Sequence, residues 1–217
     1  MNTLEKENQQ QKITQNIKGI ETATNAAIKS RDAHAEAMKQ LTMHGRETFS
    51  AEFLDREMQK KQVEFYSQMQ QAYKGVEARL EELWTLLRDR DAVLDLTNPA
   101  LTNALMLIQA TSGNPSYEQA IQINQNFRYD QSALRALYSA YGGRDLGNIG
   151  EMMYNLDETI EALKKLAFAG IVQDGSINFF ANKFAQFAKI EGVTTEKTPD
   201  NRGYDDSIRR AAGLSVN

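Results

Sequence analysis

The chain has 217 residues, of which 41% are hydrophobic and 25% charged, and a net charge of -4, with a pI of about 5.4. That content can bury a sizeable core, as one large domain or two small ones, while the acidic balance argues against a sequence-independent binder of nucleic acid or anionic lipid. With no cysteine, a disulfide framework, a thiolate nucleophile and a sulfur metal site are excluded, which fits a reducing compartment, the cytosol being the simplest.

The opening MNTLEKENQQQK lacks the apolar core of a secretory signal, and no stretch approaches the roughly 18 apolar residues that a membrane span needs. A protein that is neither exported by that route nor membrane-embedded is expected. Two of the three prolines, Pro99 and Pro115, follow an asparagine, in positions suited to a first helical turn. Apolar and polar residues never alternate over a convincing run, so the expected class is all-α.

From about residue 5 to 44, apolar or small residues recur at steps of three and four: Ile13, Ile17, Ile20, Thr24, Ala27, then Arg31, His34, Met38 and Leu41. This predicts a long helix with a heptad seam, loosened where Thr24, Arg31 and His34 interrupt it. Gly45 reads as its stop, and Ser50, with Glu52 and Phe53 behind it, as the start of the next helix. From about residue 50 to 95 the stripe is cleaner: Tyr66, Met69, Tyr73, Val76, Leu80, Leu83, Leu87 and Leu94, broken at Arg90. Such a seam obliges the helix to cover itself with another, either as a hairpin through the turn near Gly45 or by pairing with a second copy.

After Thr97 to Pro99 the texture changes to shorter, more apolar helices. One is expected from Ala100 to Thr111, stopped by Gly113, and one after Ser116, whose spacing to Gln119 resembles a capping box. A third is capped by Asp130 and carries Leu134, Leu137, Tyr138 and Tyr141. The seam Ile149, Met153, Leu156, Ile160, Leu163 and Ala167 forms another, ended by Gly170. Asp174, Gly175 and Ser176 make a turn and cap before Phe180, Phe184, Phe187 and Ile190. The expected organisation is therefore a long-helix hairpin or coiled coil over 1–96, a compact helical domain over 97–192, and a linker with a short C-terminal helix over 193–217, whose DDSIRRAAGL tail is too short to stand alone.

Chemical motifs are few. His34 and His44 have no zinc-type spacing to other ligands, and His34 reads as a tolerated core-edge residue. The glycine run from Gly142 to Gly150 lacks the Lys-Ser/Thr of a phosphate loop and reads as a helix-breaking connection. RDRDAVLD, from Arg88 to Asp95, lacks the glycine and spacing of a calcium loop and reads as a solvated helix end with local ion pairs. Lys164 and Lys165 read as a solvated face. Scattered carboxylates such as Glu151, Asp157 and Glu158 offer no pair for acid-base work. No catalytic, cofactor-binding or metal-binding residue is assigned, no cofactor is expected, and the protein is read as a non-enzyme. The candidate interaction residues are Tyr73, Leu80, Leu83 and Leu87 on the seam, Trp84 beside it as a cover or an interface anchor, and Phe179, the ring left over when its neighbours pack.

Taken together, RDRDAVLDLTNPALTNALMLI at 88–108, FRYDQSALRALYSAYGG at 127–143, VQDGSINFFANKFAQFAKIEG at 172–192 and the ending IRRAAGL resemble small helical proteins encoded among the virion genes of tailed bacteriophages and prophages. The resemblance implies a capsid-associated, scaffolding or connector role without catalysis, partners that include the chain itself and other virion proteins, and a path from host cytoplasm into the particle. The alternative is an inhibitor or adaptor module that binds a host or partner protein, presenting its acidic surface to a basic one.

Overall fold

The structure is a computed structural model that describes residues 3–173 and 175–195, with backbone alone for residues 3, 4, 6, 46 and 47. Every regular element among them is helical, so the class is all-α. Helix α1 spans Thr3–Thr48 and α2 spans Ala51–Asp91. Five shorter helices follow: α3 over Pro99–Ala110, α4 over Tyr117–Asn126, α5 over Gln131–Ala140, α6 over Leu156–Ile171 and α7 over Ile177–Ile190. A short 3-10 element over Leu146–Glu151 precedes α6.

The long helices form an antiparallel hairpin within one chain. Gln9 Nε2 donates to Leu86 O at 3.2 Å, Ser30 meets Gln68 and His34 meets Gln62, so the register runs steadily from the open end toward the turn. That turn is sharper than the glycine suggested. Helix α1 continues through Gly45 to Thr48 because Gly45 serves close approach: a Cβ there would lie 2.4 Å from Leu54 Cδ2. Ser50 then caps α2, its hydroxyl accepting from Phe53 N.

The open half of the hairpin is covered by α6 and α7. Trp84 Nε1 donates to Asp157 at 2.7 Å, Lys164 bridges Glu81 and Glu161, and the Tyr73 ring stands edge-on to Phe168, which sets α6 antiparallel to α2. Helix α7 then runs back beside α1. The outcome is an up-down-up-down four-helix bundle in which Ile13, Ile17, Ile20, Val76, Leu80, Leu83 and Leu87 meet Ile160, Leu163, Phe180, Phe184 and Phe187. Arg31, one of the seam interruptions, sits where the bundle ends. Its guanidinium donates to Gln173 O at 2.7 Å and Gly175 O at 2.9 Å, holding the α6–α7 connection. Beyond that level α1 and α2 continue as a bare pair, a two-helix arm of about 20 Å at the helical rise. His34 stacks on Phe65 at 4.1 Å near the arm's base.

The second core is separate and small. Leu101, Ile108, Ile123, Phe127, Leu134, Leu137, Tyr141 and Ile149 pack together from α3, α4, α5 and the 3-10 element. This lobe is inserted between α2 and α6, entered through residues 92–98 and left through 152–155. The 97–192 segment is thus divided between two cores, because the apolar faces of α6 and α7 match the hairpin's seam. Ile149 belongs to the small lobe, and the seam expected from it into α6 is broken by residues 152–155, with Asn155 capping the new helix.

Other corrections have equally local causes. Helix α2 stops at Asp91, so Leu94 lies outside the stripe and is 38% exposed, and Tyr66, at 43%, turns outward while its neighbour Phe65 packs inward. Lys164 is not solvated; its side chain retains only 15% exposure between two glutamates. The caps read from Ser116, Asp130 and Ser176 all form, with the capping box at Ser116 and Gln119 complete; Pro99 opens α3 behind an Asn98 cap, whereas Pro115 precedes the Ser116 cap and lies outside α4. Asp174, most of the 193–217 segment including DDSIRRAAGL, and Arg209 and Arg210 lie outside the described residues.

Candidate protein-interaction site

The expected interaction residues divide by burial. Leu80, Leu83 and Leu87 are fully buried, so the seam that called for a partner is satisfied inside the chain and presents no surface to one. Tyr73 is half-buried; its hydroxyl donates to Glu77 at 2.8 Å, and burial together with that carboxylate pushes its pKa up to about 12. Trp84 is half-buried, bonded to Asp157 and stacked under the Arg88 guanidinium at 4.4 Å. Phe179 is 52% exposed, with Lys183 over its ring. The structure does not bring these six residues into one site.

It assembles two other exposed apolar groups instead. One is the arm's tip, where Met43, Phe49 and Phe53 are exposed and the two rings meet at 4.9 Å. The second lies at the joint between bundle and small lobe. There Val93, Leu94 and Leu96 are 55%, 38% and 63% exposed within four residues of chain, and Tyr129 is 46% exposed. They border a cavity of about 480 Å³ that Gln9, Arg90, Asp95 and Asp130 also line. Clustered exposed aliphatics beside a cavity are a recognised mark of interaction surfaces.

The joint is held by buried charge. Arg90 donates through Nη1 to Glu191 Oε2 at 2.6 Å and through Nε to Asp91 Oδ1 at 2.8 Å, and the Tyr154 hydroxyl donates to the other Glu191 oxygen. The Glu191 side chain is 1% exposed, that of Asp91 5% and that of Arg90 16%. Burial draws the Arg90 pKa down, but the two carboxylates outweigh it and the net shift is upward. Burial and Glu191 raise Tyr154. The solvated helix end expected at RDRD therefore holds only for Arg88 and Asp89; Arg90 and Asp91 turn inward because α7 ends directly against them.

Polar groups also tie the small lobe to its connections. Gln131 Nε2 donates to Met152 O at 2.9 Å, and Ser132 Oγ reaches Val93 O at 3.4 Å. Inside the lobe the Tyr141 hydroxyl donates to Asn124 Oδ1 at 3.0 Å while Asn124 Nδ2 donates to Leu146 O at 2.8 Å and Gly147 O at 3.1 Å. The glycine run is thus a packed connection: Gly147 has φ 61° and lies against the backbone of Ala120. A more open cleft of about 920 Å³ runs past Trp84, Tyr138, Tyr154 and Asp157. Among the described residues no group of three or more His, Asp or Glu side chains is placed to hold a metal, and no helix is long and apolar enough to cross a membrane.

The sequence carries a signal of the joint: AVLDLTNP crowds Val93, Leu94 and Leu96 against an Asn-Pro helix start, where one helical face cannot absorb all three. Compared with protein-family models, with curated proteins and with solved structures, the chain matches none.

Proposed function

We propose that this protein is a non-enzymatic structural or assembly component of a phage particle, of capsid-associated, scaffolding or connector type, that works by contact with other proteins. The observation that carries the protein-contact reading is the joint, where Val93, Leu94, Leu96 and Tyr129 stay exposed around a cavity. The bare arm with Phe49 and Phe53 at its end supports the same reading, since a projecting hairpin reaches a neighbour without disturbing the bundle. The phage assignment rests on the resemblance in the sequence.

The test is to purify particles from a producing host and determine whether the chain stays with them in many copies. A paired Phe49→Ser and Phe53→Ser variant should fold normally and be incorporated less. Recovery of the chain outside particles, in a one-to-one complex with a single host protein, would replace this reading with that of an inhibitor or adaptor.

A further inference from the structure

The small lobe is held at one end. Residues 92–98 and 152–155 carry it, and the core of the lobe and the core of the bundle share no residue. Its ties to the rest of the chain gather where α5 begins, at residues 129–132. A Cβ added at Gly192 would sit 3.5 Å from the Tyr129 ring. The Gln131 side chain donates to Met152 O at 2.9 Å and accepts from Tyr154 N at 3.4 Å, and Ser132 Oγ donates to Val93 O at 3.4 Å. Farther along α5 the lobe parts from the bundle, and the cleft of about 920 Å³ opens between them. A lobe with its own core, tied through so small an area, moves as a body about its attachment.

The walls of the cleft carry matching charge. The lobe contributes Arg135, Tyr138 and Asp145, and the bundle Trp84, Arg88 and Asp157. Arg135 is exposed and pairs with no carboxylate among the described residues. Arg88 meets its neighbour Asp89 at 3.4 Å and the Trp84 ring. Asp145 spends Oδ1 on Gly150 N and Asp157 spends Oδ1 on Trp84 Nε1, which leaves Oδ2 of each uncommitted. Asp91 also lines the cleft, but its side chain is buried and bound to Arg90. Each wall therefore offers one guanidinium and one carboxylate oxygen with bonding capacity left. Walls of like charge would hold the lobe away; walls with both signs on each side let it approach.

We propose that the small lobe is a hinged lid that swings about residues 129–132 and the two linkers, closing the cleft so that Arg135 pairs with Asp157 and Arg88 with Asp145. Solvent-facing pairs are individually weak, so the two together favour the closed form by about fivefold, and salt loosens them. Closure covers Trp84 and Tyr138 reversibly, whatever the protein contacts at the joint and the arm.

The chain has no cysteine, so spin labels enter only where cysteines are placed. Ser139→Cys on α5 with Ala162→Cys on α6, both exposed and outside the cleft lining, reports the distance from lobe to bundle by pulsed electron paramagnetic resonance. Lys18→Cys with Ala162→Cys reports a distance within the bundle. Two populations are expected for the first pair, the shorter gaining about fivefold over the longer between about 1 M and about 10 mM salt, with no change for the second pair. At low salt Arg135→Glu should cut the shorter population by a similar factor, while Arg135→Lys, which keeps the charge, should preserve it. A single distance unmoved by salt, a salt response shared by both label pairs, or equal behaviour of Arg135→Glu and Arg135→Lys overturns the proposal.

Discussion

Arg90 Nη1 donates to Glu191 Oε2 across 101 residues of sequence, at 2.6 Å, and so joins the last turn of α2 to the end of α7 beside the point where the small lobe leaves the bundle. Glu191 is buried and Arg90 largely so, and Asp91 and Tyr154 complete the set. Removing the arginine leaves the carboxylates of Asp91 and Glu191 without compensation, whereas removing Glu191 leaves Arg90 paired with Asp91. Arg90→Met should therefore destabilise the bundle by about 3 to 5 kcal/mol, and Glu191→Gln should cost markedly less. Chemical denaturation of the two variants checks this; equal destabilisation by both would refute it.

Leu83 is fully buried at the centre of the four-helix core. Leu83→Asp places an unpaired charge there and should cost about 4 kcal/mol or more, melting α1, α2, α6 and α7 together. By contrast Leu96→Glu, at 63% exposure, should shift stability by no more than about 0.5 kcal/mol. Thermal unfolding followed by circular dichroism separates the two, and similar losses at both positions would contradict the burial pattern.

Two glycines serve close approach with different tolerance. At Gly147 an added Cβ would stand 2.6 Å from Ala120 backbone carbon with φ at 61°, so Gly147→Ala should destabilise the small lobe by more than about 2 kcal/mol. At Gly45 the obstructing atom is the mobile end of Leu54. Gly45→Ala gains helix propensity of up to about 1 kcal/mol, which offsets the shift of Leu54, and the protein should stay within about 1 kcal/mol of the parent. Hydrogen exchange in α4 and at the arm reads these effects separately.

The Tyr141 hydroxyl is buried within the small lobe, and burial pushes its pKa from the ordinary 10.0 up to about 12. The folded state thus favours the neutral phenol. Its contribution to stability is complete below pH 10 and is lost as pH rises toward 12. Ultraviolet titration should show Tyr73 and Tyr141 ionising near the upper value and Tyr154 higher still, with Tyr141→Phe removing one of the first two, and small-lobe amides should lose exchange protection over the same interval. Tyr141→Phe should flatten that dependence while exposing Asn124 to a lost bond worth about 1 kcal/mol.

Much of the local structure was written in the chain because it depends on neighbours in sequence. The capping box at Ser116 needs only Gln119 three residues on, and the Asn98-Pro99 start needs only its own dihedral restrictions. The stripe from Met69 to Leu87 announces a buried helical face by its period alone. What covers that face was not announced, since a heptad seam accepts any helix of matching period. Only the folded chain shows that α6 and α7 return after the small lobe to fill it, which moves Leu80, Leu83 and Leu87 from candidate interface to interior.

The joint was hidden for a related reason. Arg90 and Glu191 carry no mark of burial in a sequence where charged residues are common, and their pairing exists only because two helix ends arrive at one place. Tertiary structure alone likewise decides that Val93, Leu94 and Leu96 remain in water, because exposure is set by what the rest of the chain fails to cover. The order of the residues determined the helices, their caps and their apolar faces through short-range sterics and hydrogen bonding; which faces meet, and which stay open, depended on long-range packing that no local pattern encodes.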